Sequence, residues 1–319
     1  MSQLPKALFD DLGEGAESRN GPKLTVLSFG AGQDSTALLL MYINDIEFRK
    51  HFAPNDFIVV FADTGDEHQH TYEHLKHIKT PCEKCGIKFV HITPDMGYHG
   101  KGWHSLREQY NTHCSVGSKA FMKTCSVRLK INPIYSYLED YIADTYELPR
   151  GRKRAFKAFS RIYGKMNILI GIAHGEESRM AGEFDEEWKQ MALQNVYPLI
   201  QMGMDRFACQ EINKKYIQYE VKPSNCLLCP WLSKPELLYL FRFLRDDYND
   251  WVRIEQNKFA KHADKGEKNL GVWAKWIKDE SRPYSLEDAL VDAQKEFGHW
   301  TNEDLHNYKM NHGCVGSKF

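Results

Sequence analysis

The segment from Ser28 to Thr36 has the residue types of a phosphate-binding loop. It follows an apolar run that begins at Leu24 and precedes a helical pattern that starts at about Asp34. A strand, a tight glycine turn and a helix N-terminus leave backbone N–H groups free for an anion, and the helix dipole favours negative charge. An ordinary glycine-rich turn is the alternative. The residues predicted to contact a nucleotide here are Ser28, Gly30, Gly32, Gln33, Asp34, Ser35 and Thr36.

The spacing within this loop excludes two common phosphate sites. No Gly-Lys-Ser/Thr follows the glycines, so the loop is not a Walker A sequence. The third glycine of the dinucleotide-binding pattern is also missing. Within the remaining pattern, Asp34 and Ser35 are the residues predicted to act in catalysis as well as in binding.

A second polar segment, Asp63-Thr64-Gly65, follows the apolar run 57–62. Ligands of doubly wound sheets bind at the carboxyl ends of the strands, which would bring this segment beside the glycine loop. Asp63 could then ligate a magnesium ion on the phosphates or bond to a ribose or adenine edge. Alternatively, Asp63 and Thr64 only cap the next turn, because both residue types favour such positions.

A third polar segment runs from Gly171 to Arg179 and follows the apolar run 168–172. Arg179 is predicted to bind a phosphate or sulfate and to act in catalysis, since a guanidinium contacts an oxyanion through two parallel hydrogen bonds. Gly171 and Glu176 are assigned to the same nucleotide site. The alternative is a surface ion pair between Arg179 and Glu176.

The chain has eight cysteines, and their spacing favours metal or thiol chemistry over disulfides. Cys226 and Cys229 form a C-x-x-C pair, a spacing that lets both sulfurs face one metal. Cys125 opens a predicted helix beside basic residues, which favours a thiolate. Cys209 lies in a helical pattern and is predicted to be a buried cysteine without a ligand role. The remaining candidates are Cys82, Cys85, Cys114 and Cys314.

The elements that must position these residues alternate along the chain. Buried strands are predicted at 24–29, 57–62, 87–92 and 168–172, with helical patterns between them. This alternation predicts an α/β fold with a doubly wound, mostly parallel sheet. We expect a loose tail at 1–20, a nucleotide-binding domain with the metal-binding cysteines at 21–234, and a helical C-terminal region at 235–319.

Six ordered motifs together resemble the phosphoadenosine-phosphosulfate (PAPS) reductase-like family of AMP-forming ATP pyrophosphatases, or PP-loop proteins. They run from about Leu24 to Trp231 and are most similar to the bacterial and phage branch described as sulfotransferase-like or phosphorothioation-type. The motifs are the glycine loop, Ala62-Asp63-Thr64-Gly65, Cys125 with Arg128, Lys130 and Pro133, Gly171 to Met180, Tyr197 to Ile200, and Cys226-x-x-Cys229-Pro230.

The resemblance implies an adenine-nucleotide alpha hydrolase-like fold, ATP or PAPS with Mg²⁺ as ligands, and a [4Fe–4S] cluster. The chain departs from the reductases at two places. Thr124-Cys125 stands where they have a Cys-Cys pair, so three ligands remain: Cys125, Cys226 and Cys229. Their catalytic cysteine lies in a C-terminal Glu-Cys-Gly motif, whereas this chain has Gly313-Cys314-Val315, so a catalytic role for Cys314 stays an expectation.

Three functions follow from this resemblance. The first is an ATP-dependent sulfur transferase that adenylates a nucleic acid, in tRNA thiolation or in DNA modification such as phosphorothioation in phage defence, and delivers sulfur from a three-cysteine cluster. The second is a PAPS or adenosine-phosphosulfate reductase. The third is a nucleotide-binding subunit of a defence or modification complex, folded around zinc. For zinc, Cys82-x-x-Cys85 could join Cys226-x-x-Cys229, or Cys114 or His113 could complete three cysteines.

The net charge of the chain does not indicate its partners, but one local run of basic residues does. The net charge of −1 gives no global argument for nucleic acid. The run from Arg150 to Lys165 is basic, free of acids and interleaved with Phe156, Phe159 and Tyr163, which suits phosphate contacts with base stacking or simply a solvated face. A sulfur-donor protein or thioredoxin is a further expected partner, and a homodimer is another. No membrane-spanning or signal pattern is evident, which predicts a cytoplasmic protein.

Overall fold

A five-stranded parallel sheet organises the first two thirds of the chain. The computed structural model describes residues 21–120, 124–182 and 184–311. The strands are β1 (Leu24–Ser28), β2 (Asp56–Ala62), β3 (Lys88–Ile92), β4 (Met166–Ile170) and β5 (Leu193–Val196). Their order is β3-β2-β1-β4-β5 with parallel pairing throughout, which confirms the predicted doubly wound α/β class. The order reverses between β1 and β4, so the ends of these two strands form the switch point where such sheets bind ligands.

Four of the five strands were predicted to within two residues. The edge strand β5 was missed because it has only two apolar residues, Leu193 and Val196, which is too short a run to indicate a strand.

Helices cover both faces of the sheet. The helices of this part are α1 (Gln33–Asn44), α2 (Ile46–Phe52), α3 (Gln69–Lys84), α4 (Leu106–His113), α5 (Asn132–Thr145), α6 (Arg154–Tyr163), α7 (Glu187–Ala192), α8 (Pro198–Gln201) and α9 (Arg206–Tyr216). A short helical turn (Thr124–Ser126) and a π-helical turn (Val127–Ile131) lead directly into α5.

Alternating strand residues supply two separate apolar layers. Leu27, Val59 and Leu169 belong to the layer under α1 and α9, whereas Val26, Ile58 and Ile168 belong to the layer under α5 and α6. This is the period of two that a strand covered on both faces requires. Both layers keep the carboxyl ends of β1 and β4 fixed at one edge of the sheet.

The C-terminal part is mainly helical. It contains the helices α10 (Lys234–Phe243), α11 (Arg245–Lys261), α12 (Leu286–Phe297) and α13 (Asn302–Asn311). Two short antiparallel strands of two residues each, β6 (Trp276–Ile277) and β7 (Arg282–Pro283), lie between α11 and α12. Trp251 is fully buried at its centre, in an apolar cluster that also takes in Leu106, Leu129 and Leu228. This part therefore packs against the segments that carry the cysteines. None of the described helices is both long and apolar enough to cross a membrane.

Three sets of predictions fall outside the described residues. They are the loose tail at 1–20, the catalytic role of Cys314, and the comparison of the tail with the reductase motif. The division into domains at 234 stays a prediction.

Candidate functional site

The loop between β1 and α1 has the geometry of an anion cradle. Gly32 is the N-cap of α1 and has extended backbone angles, and no side chain caps the free N–H groups of the first turn. Ala31 has a φ of 55°, which is uncommon for a residue with a Cβ, and it is buried. Backbone strain of this kind is found preferentially at functional sites.

Gly171, at the end of β4, fixes the position of this loop. A Cβ at this residue would lie 2.7 Å from the backbone nitrogen of Ser35 and 3.0 Å from its Cα. Only glycine therefore lets the end of β4 approach the start of α1. The close approach explains why the two strand ends share one cavity.

The cavity at the switch point is lined by most of the glycine loop and by segments from four other places in the chain. Its empty space, part of which is open to solvent, measures about 690 Å³. It is lined by Ser28, Gly30, Gly32, Gln33, Asp34, Ser35, Ser126, Lys130, Ile170, Gly171, Arg179, Arg206, Pro223 and Ser224. Nucleotide-site residues predicted on the first and third polar segments are thus brought together, apart from Thr36 and Glu176, which do not line it.

Several buried polar atoms at this cavity have no partner within the described protein. They are Nε2 and Oε1 of Gln33, Oδ1 of Asp34, and the Nε atoms of Arg179 and Arg206. Burying such a group without a hydrogen bond is costly, by about 1–3 kcal/mol each. Their concentration at one place indicates a binding site for a polar ligand.

Two arginines of the cavity lining are bridged by Glu176, which does not itself line the cavity. Glu176 accepts hydrogen bonds from both guanidinium groups: its Oε2 from Arg179 Nη1, and its Oε1 from Arg206 Nη2 at 2.7 Å. The predicted Arg179–Glu176 pair is therefore present, and it lies at the cavity instead of on an open surface. Arg206 Nη2 also lies 3.4 Å from Asp34 Oδ2. Burial raises the pKa of Asp34, an effect that Arg206 partly opposes.

Sequence reasoning missed Arg206. The residue follows Asp205, which caps α9, and a single arginine in the first turn of a helix carries no motif. The only sequence signal for Arg206 is a positive charge at the N-terminus of a helix, where the helix dipole disfavours a cation. Lys130 was noted only as part of a motif, yet it lines the cavity from the π-helical turn, an element that is often found at functional sites.

Thr36 contacts α3 and does not line the cavity. Its Oγ1 lies 2.8 Å from Nε2 of His74, and Nδ1 of the same ring lies 2.8 Å from the Tyr219 hydroxyl. Burial lowers the pKa of His74 to about 4, so the ring is neutral and can donate one bond while accepting the other. Thr36 therefore joins α1 to α3, on the side away from the cavity lining.

The loop after β2 is closed by hydrogen bonds. Asp63 accepts from the Gly65 N–H at 2.7 Å and from the Tyr72 hydroxyl at 2.9 Å, and its other oxygen lies 3.1 Å from His91 Nε2. Burial alone would raise the pKa of Asp63, but these bonds hold it below its ordinary value. Asp63 does not line the cavity, and its contacts are those of the capping alternative.

Gly65 and Thr64 complete that loop. A Cβ at Gly65, whose φ is 77°, would lie 2.7 Å from the His104 carbonyl oxygen. Thr64 donates to Glu67 Oε1 at 3.1 Å and lies 3.4 Å from Cys226 Sγ. The loop thus connects β2 to the cysteine segment, and none of its three predicted residues lines the cavity.

Glu67 joins the cysteine region to the cavity and was also missed by the sequence analysis. Its side chain is fully buried, and its Oε1 lies 2.9 Å from Lys130 Nζ and 3.6 Å from Cys226 Sγ. Burial raises the pKa of Cys226 well above its ordinary value, and the negative charge of Glu67 adds to this. The thiol of Cys226 is accordingly protonated in this arrangement.

The three predicted cluster ligands lie near one another. Burial raises the pKa of Tyr110, and the charges of Cys125, Cys226 and Cys229 add to the shift, so all three sulfurs lie within electrostatic range of one phenol. Within residues 21–120, 124–182 and 184–311, however, no three His, Cys, Asp or Glu side chains are arranged to hold a metal ion. As placed, the cysteines do not fit a cluster, and the zinc alternatives form no such group either.

The remaining cysteines differ in their exposure. Cys209 is fully buried and burial raises its pKa, in keeping with the prediction that it has no ligand role. Cys82 is buried in α3 with its pKa raised to about 12, whereas Cys85 is exposed. The pair Cys82 and Cys85 thus does not present two thiolates to one side.

Two of the three aromatic residues in the basic run are unavailable to bases, whereas Tyr163 is 39% exposed. Phe156 and Phe159 are fully buried in the core, and Tyr163 packs against the rings of Phe159 and Tyr146. Among the cations, Arg150 pairs with Asp140 and Asp144, and Lys153 pairs with Glu139 at 3.2 Å. The exposed cations that remain are Arg152, Arg154, Arg161 and Lys165. The base-stacking half of the prediction is thus wrong for both phenylalanines.

Comparison with known proteins finds a family match in the first half of the chain. Residues 24–161 match the family model of the phosphoadenosine phosphosulfate reductase domain. Among solved structures, the chain is similar to the U34-tRNA thiolase NcsA from Methanococcus maripaludis with its [4Fe-4S] cluster, with a TM-score of 0.37 and 14% identity over 93% of this chain and 79% of that one. No curated protein matches the chain significantly. Residues 24–161 are thus similar to the phosphoadenosine phosphosulfate reductase domain, and this match covers less than half of the chain.

Proposed function

We propose that this protein is a PP-loop enzyme that binds ATP at the switch point, adenylates its substrate and then exchanges the adenylate for sulfur. The observation that carries the proposal is the cavity at the start of α1, where Arg179, Arg206 and Gln33 leave buried polar atoms without partners. Free N–H groups and two guanidiniums suit a polyphosphate better than a neutral ligand.

The residues of the cavity would act mainly by position and charge. The N–H groups at the start of α1 and the Ser35 hydroxyl would hold the leaving pyrophosphate, and a Mg²⁺ ion bound with the nucleotide would supply further charge neutralisation. A substrate oxygen attacks the α-phosphorus, the bond from that phosphorus to pyrophosphate breaks, and Arg179 stabilises the charge that develops. Asp34 lies at the same end of the helix, and its unpartnered carboxylate oxygen is the residue atom that would hold a Mg²⁺ ion once the acid is deprotonated.

The sulfur step is proposed from the position of the cysteines. Ser126 and Ser224 line the cavity, and they lie one residue after Cys125 and two residues before Cys226. In this step a hydrosulfide sulfur attacks the activated carbon, the carbon–oxygen bond breaks, and AMP leaves. The proposed sulfur donor is a separate protein or thiol.

A nucleic acid is the proposed sulfur acceptor, as in tRNA thiolation or DNA modification. What supports it is the row of exposed cations Arg152, Arg154, Arg161 and Lys165, which suit contacts to phosphates without base stacking. Exchange of these four residues for glutamine should weaken binding of a tRNA or DNA probe and reduce its dependence on salt. The same exchange should leave ATP binding unchanged, because none of the four lines the cavity.

A [4Fe–4S] cluster on Cys125, Cys226 and Cys229 stays a prediction and enters no step above. It is tested by anaerobic purification with quantification of iron, sulfide and zinc. Iron and sulfide that disappear in Cys226→Ser would support the cluster. Zinc in place of iron would favour the third function, a nucleotide-binding subunit of a defence or modification complex.

The proposed function is tested by ATP binding and by release of pyrophosphate. We expect the full-length protein to bind ATP with Mg²⁺ in calorimetry, and Arg179→Gln to weaken that binding at least tenfold through loss of a charge-assisted contact. Arg161→Gln is the matched control, because this arginine is exposed on α6. Failure of the wild-type protein to bind ATP or PAPS would overturn the proposal. Binding without pyrophosphate release, across tRNA, DNA and small thiol acceptors, would favour the subunit.

A phosphosulfate reductase is a second candidate, and one contact favours it. Arg206 Nη1 donates to the carbonyl oxygen of Asn311 at 2.9 Å, so the end of α13 is attached to the cavity wall three residues before Cys314. In such a reaction the Cys314 sulfur attacks the sulfate sulfur, the nucleotide phosphate leaves, and a thioredoxin-type dithiol reduces the resulting thiosulfonate to release sulfite. Loss of PAPS reduction in Cys314→Ser with ATP binding intact would establish this reading.

A further inference from the structure

Glu176 occupies the position that an oxyanion would take between two guanidiniums. Each of its carboxylate oxygens accepts from a different arginine, Oε2 from Arg179 and Oε1 from Arg206. The two arginine side chains are only 19% and 15% exposed, and each keeps a buried Nε without a partner. A planar acid bridging two such groups uses the same donors that a phosphoryl group would use.

We infer that Glu176 is an internal stand-in for a phosphoryl group, and that Arg206 is a second phosphate-binding arginine whose Nη2 is occupied by Glu176 until the nucleotide binds. This inference rests on the proposed function, because it concerns the same cavity. It adds a residue that no motif contains and gives Glu176 a role opposite to ligand binding: it competes with the phosphate for the arginines.

Charge supports this competition. Arg179, Arg206 and Lys130 bring three positive charges to the cavity, and Glu176 and Asp34 face the two arginines. Burial disfavours the charged form of Asp34, which leaves Glu176 as the main counter-charge of the arginine pair. A phosphoryl group carries more negative charge than a carboxylate and three acceptor oxygens, so it can satisfy both guanidiniums, including their free Nε–H groups.

The two terminal nitrogens of the Arg206 guanidinium have different partners. Nη2 faces Glu176 and Asp34, whereas Nη1 holds the last turn of α13. The group is therefore oriented from behind by a backbone carbonyl and does not need Glu176 to keep its position. For this reason, removal of Glu176 should leave Arg206 at the cavity and available to a ligand.

The test is calorimetric titration of the full-length protein with ATP and with inorganic pyrophosphate, in buffer containing Mg²⁺. We expect Arg206→Gln to bind both ligands at least tenfold more weakly and Arg206→Lys to fall between it and the wild-type protein, since a lysine makes no bidentate contact. We expect Glu176→Gln to bind pyrophosphate several-fold more tightly. The matched controls are Lys214→Gln, on the exposed side of α9, and Glu177→Gln, whose carboxylate faces the Gly175 N–H.

The outcomes separate the two claims. A wild-type protein that binds neither ATP nor pyrophosphate overturns the proposed function. A wild-type protein that binds them, with Arg206→Gln unchanged or Glu176→Gln weakened, overturns this inference alone. Thermal unfolding is measured in parallel, because Arg206→Gln loses its bond to Asn311. If that variant does not fold, the increase expected for Glu176→Gln relative to Glu177→Gln decides the question.

Discussion

The loops after β1 and β2 start from neighbouring strand ends, but they differ in whether their buried polar atoms have hydrogen-bond partners. After β1, the side chains of Gln33 and Asp34 are buried with three polar atoms unpartnered. After β2, both oxygens of Asp63 are held, by the Gly65 N–H, the Tyr72 hydroxyl and His91. Both loops contain an aspartate, a hydroxyl residue and a glycine, and the sequence predicted a ligand contact in both.

The difference teaches that hydrogen-bond satisfaction, more than residue type, separates a binding loop from a structural one. A buried carboxylate with a complete set of donors has nothing left to offer a ligand, whereas unpartnered atoms reduce the stability of the free protein until something binds them. The first loop is therefore expected to control affinity, and the second is expected to control stability.

The largest expected effect is on the second loop. Asp63→Ala removes the acceptor of three buried or half-buried donors, and we expect the free energy of unfolding to fall by about 3 kcal/mol. Urea denaturation measures this change, with Asp95→Ala as the control because Asp95 is an exposed aspartate after β3. ATP affinity of the folded variant should stay at the wild-type value. A loss of affinity with unchanged stability would reverse the comparison.

The next effect concerns the contact between β4 and the first loop. Gly171→Ala places a Cβ against the backbone of Ser35, so the start of α1 must move. We expect stability to fall by about 2 kcal/mol, as is typical of overpacking, and ATP binding to weaken at least tenfold. Gly182→Ala is the control, since a Cβ there meets nothing within 4 Å. Equal affinities of the two variants would show that the cradle tolerates movement.

The pH dependence of stability should have opposite signs for the two aspartates. The pKa of Asp63 is lowered in the folded protein, so its contribution is present above about pH 4 and is lost as the pH falls through its folded value. The pKa of Asp34 is raised, so its ionisation opposes folding as the pH rises above about 4. We expect Asp34→Asn to be more stable than the wild-type protein at pH 7, by on the order of 1 kcal/mol, with the gain vanishing at acidic pH.

Denaturation series from pH 3 to pH 7, without nucleotide, measure both contributions. Asp63→Ala should differ most from the wild-type protein at neutral pH and least in acid. An Asp34→Asn variant that is less stable at pH 7 would mean that Arg206 outweighs burial at this site.

The smallest effect is expected for Ala31→Gly. Ala31 has a φ of 55°, so glycine relieves the strain of the left-handed conformation but gains freedom in the unfolded chain. The two effects nearly cancel, and we expect a change in stability of less than about 1 kcal/mol. ATP affinity should fall slightly, because the loop is less well pre-organised. A clear gain in affinity would show that the strain opposes binding.

The sequence was sufficient for four of the five strands and for the position of the glycine loop at the switch point. Long apolar runs and glycine punctuation identify β1 to β4 with little ambiguity, and an anion cradle is a local arrangement of backbone that a short motif can specify. The side-chain partners of that loop could not be predicted. Thr36 contacts His74, and Arg206 reaches the cavity from α9. Both contacts join residues that are far apart in the chain, so a local motif could not indicate them.

The cysteine region shows the same limit. The C-x-x-C pair indicates that two thiols are close, but their surroundings come from Glu67, Lys130 and Tyr110, which lie far from them in sequence. Burial and the charge of Glu67 keep Cys226 protonated, a condition that spacing cannot reveal. The basic run was misread for a related reason: the sequence shows aromatic residues between the cations, but not that Phe156 and Phe159 point into the core.

The cavity is lined by segments as far apart in the chain as Ser28 and Ser224, and this affects when it can form during synthesis. A chain emerging from the ribosome cannot hold a nucleotide until Ser224 has been made and β4 has joined β1. If the cavity binds ATP as proposed, the nucleotide can stabilise only chains that already contain all of these segments, by about 2.7 kcal/mol at a concentration one hundred times the Kd.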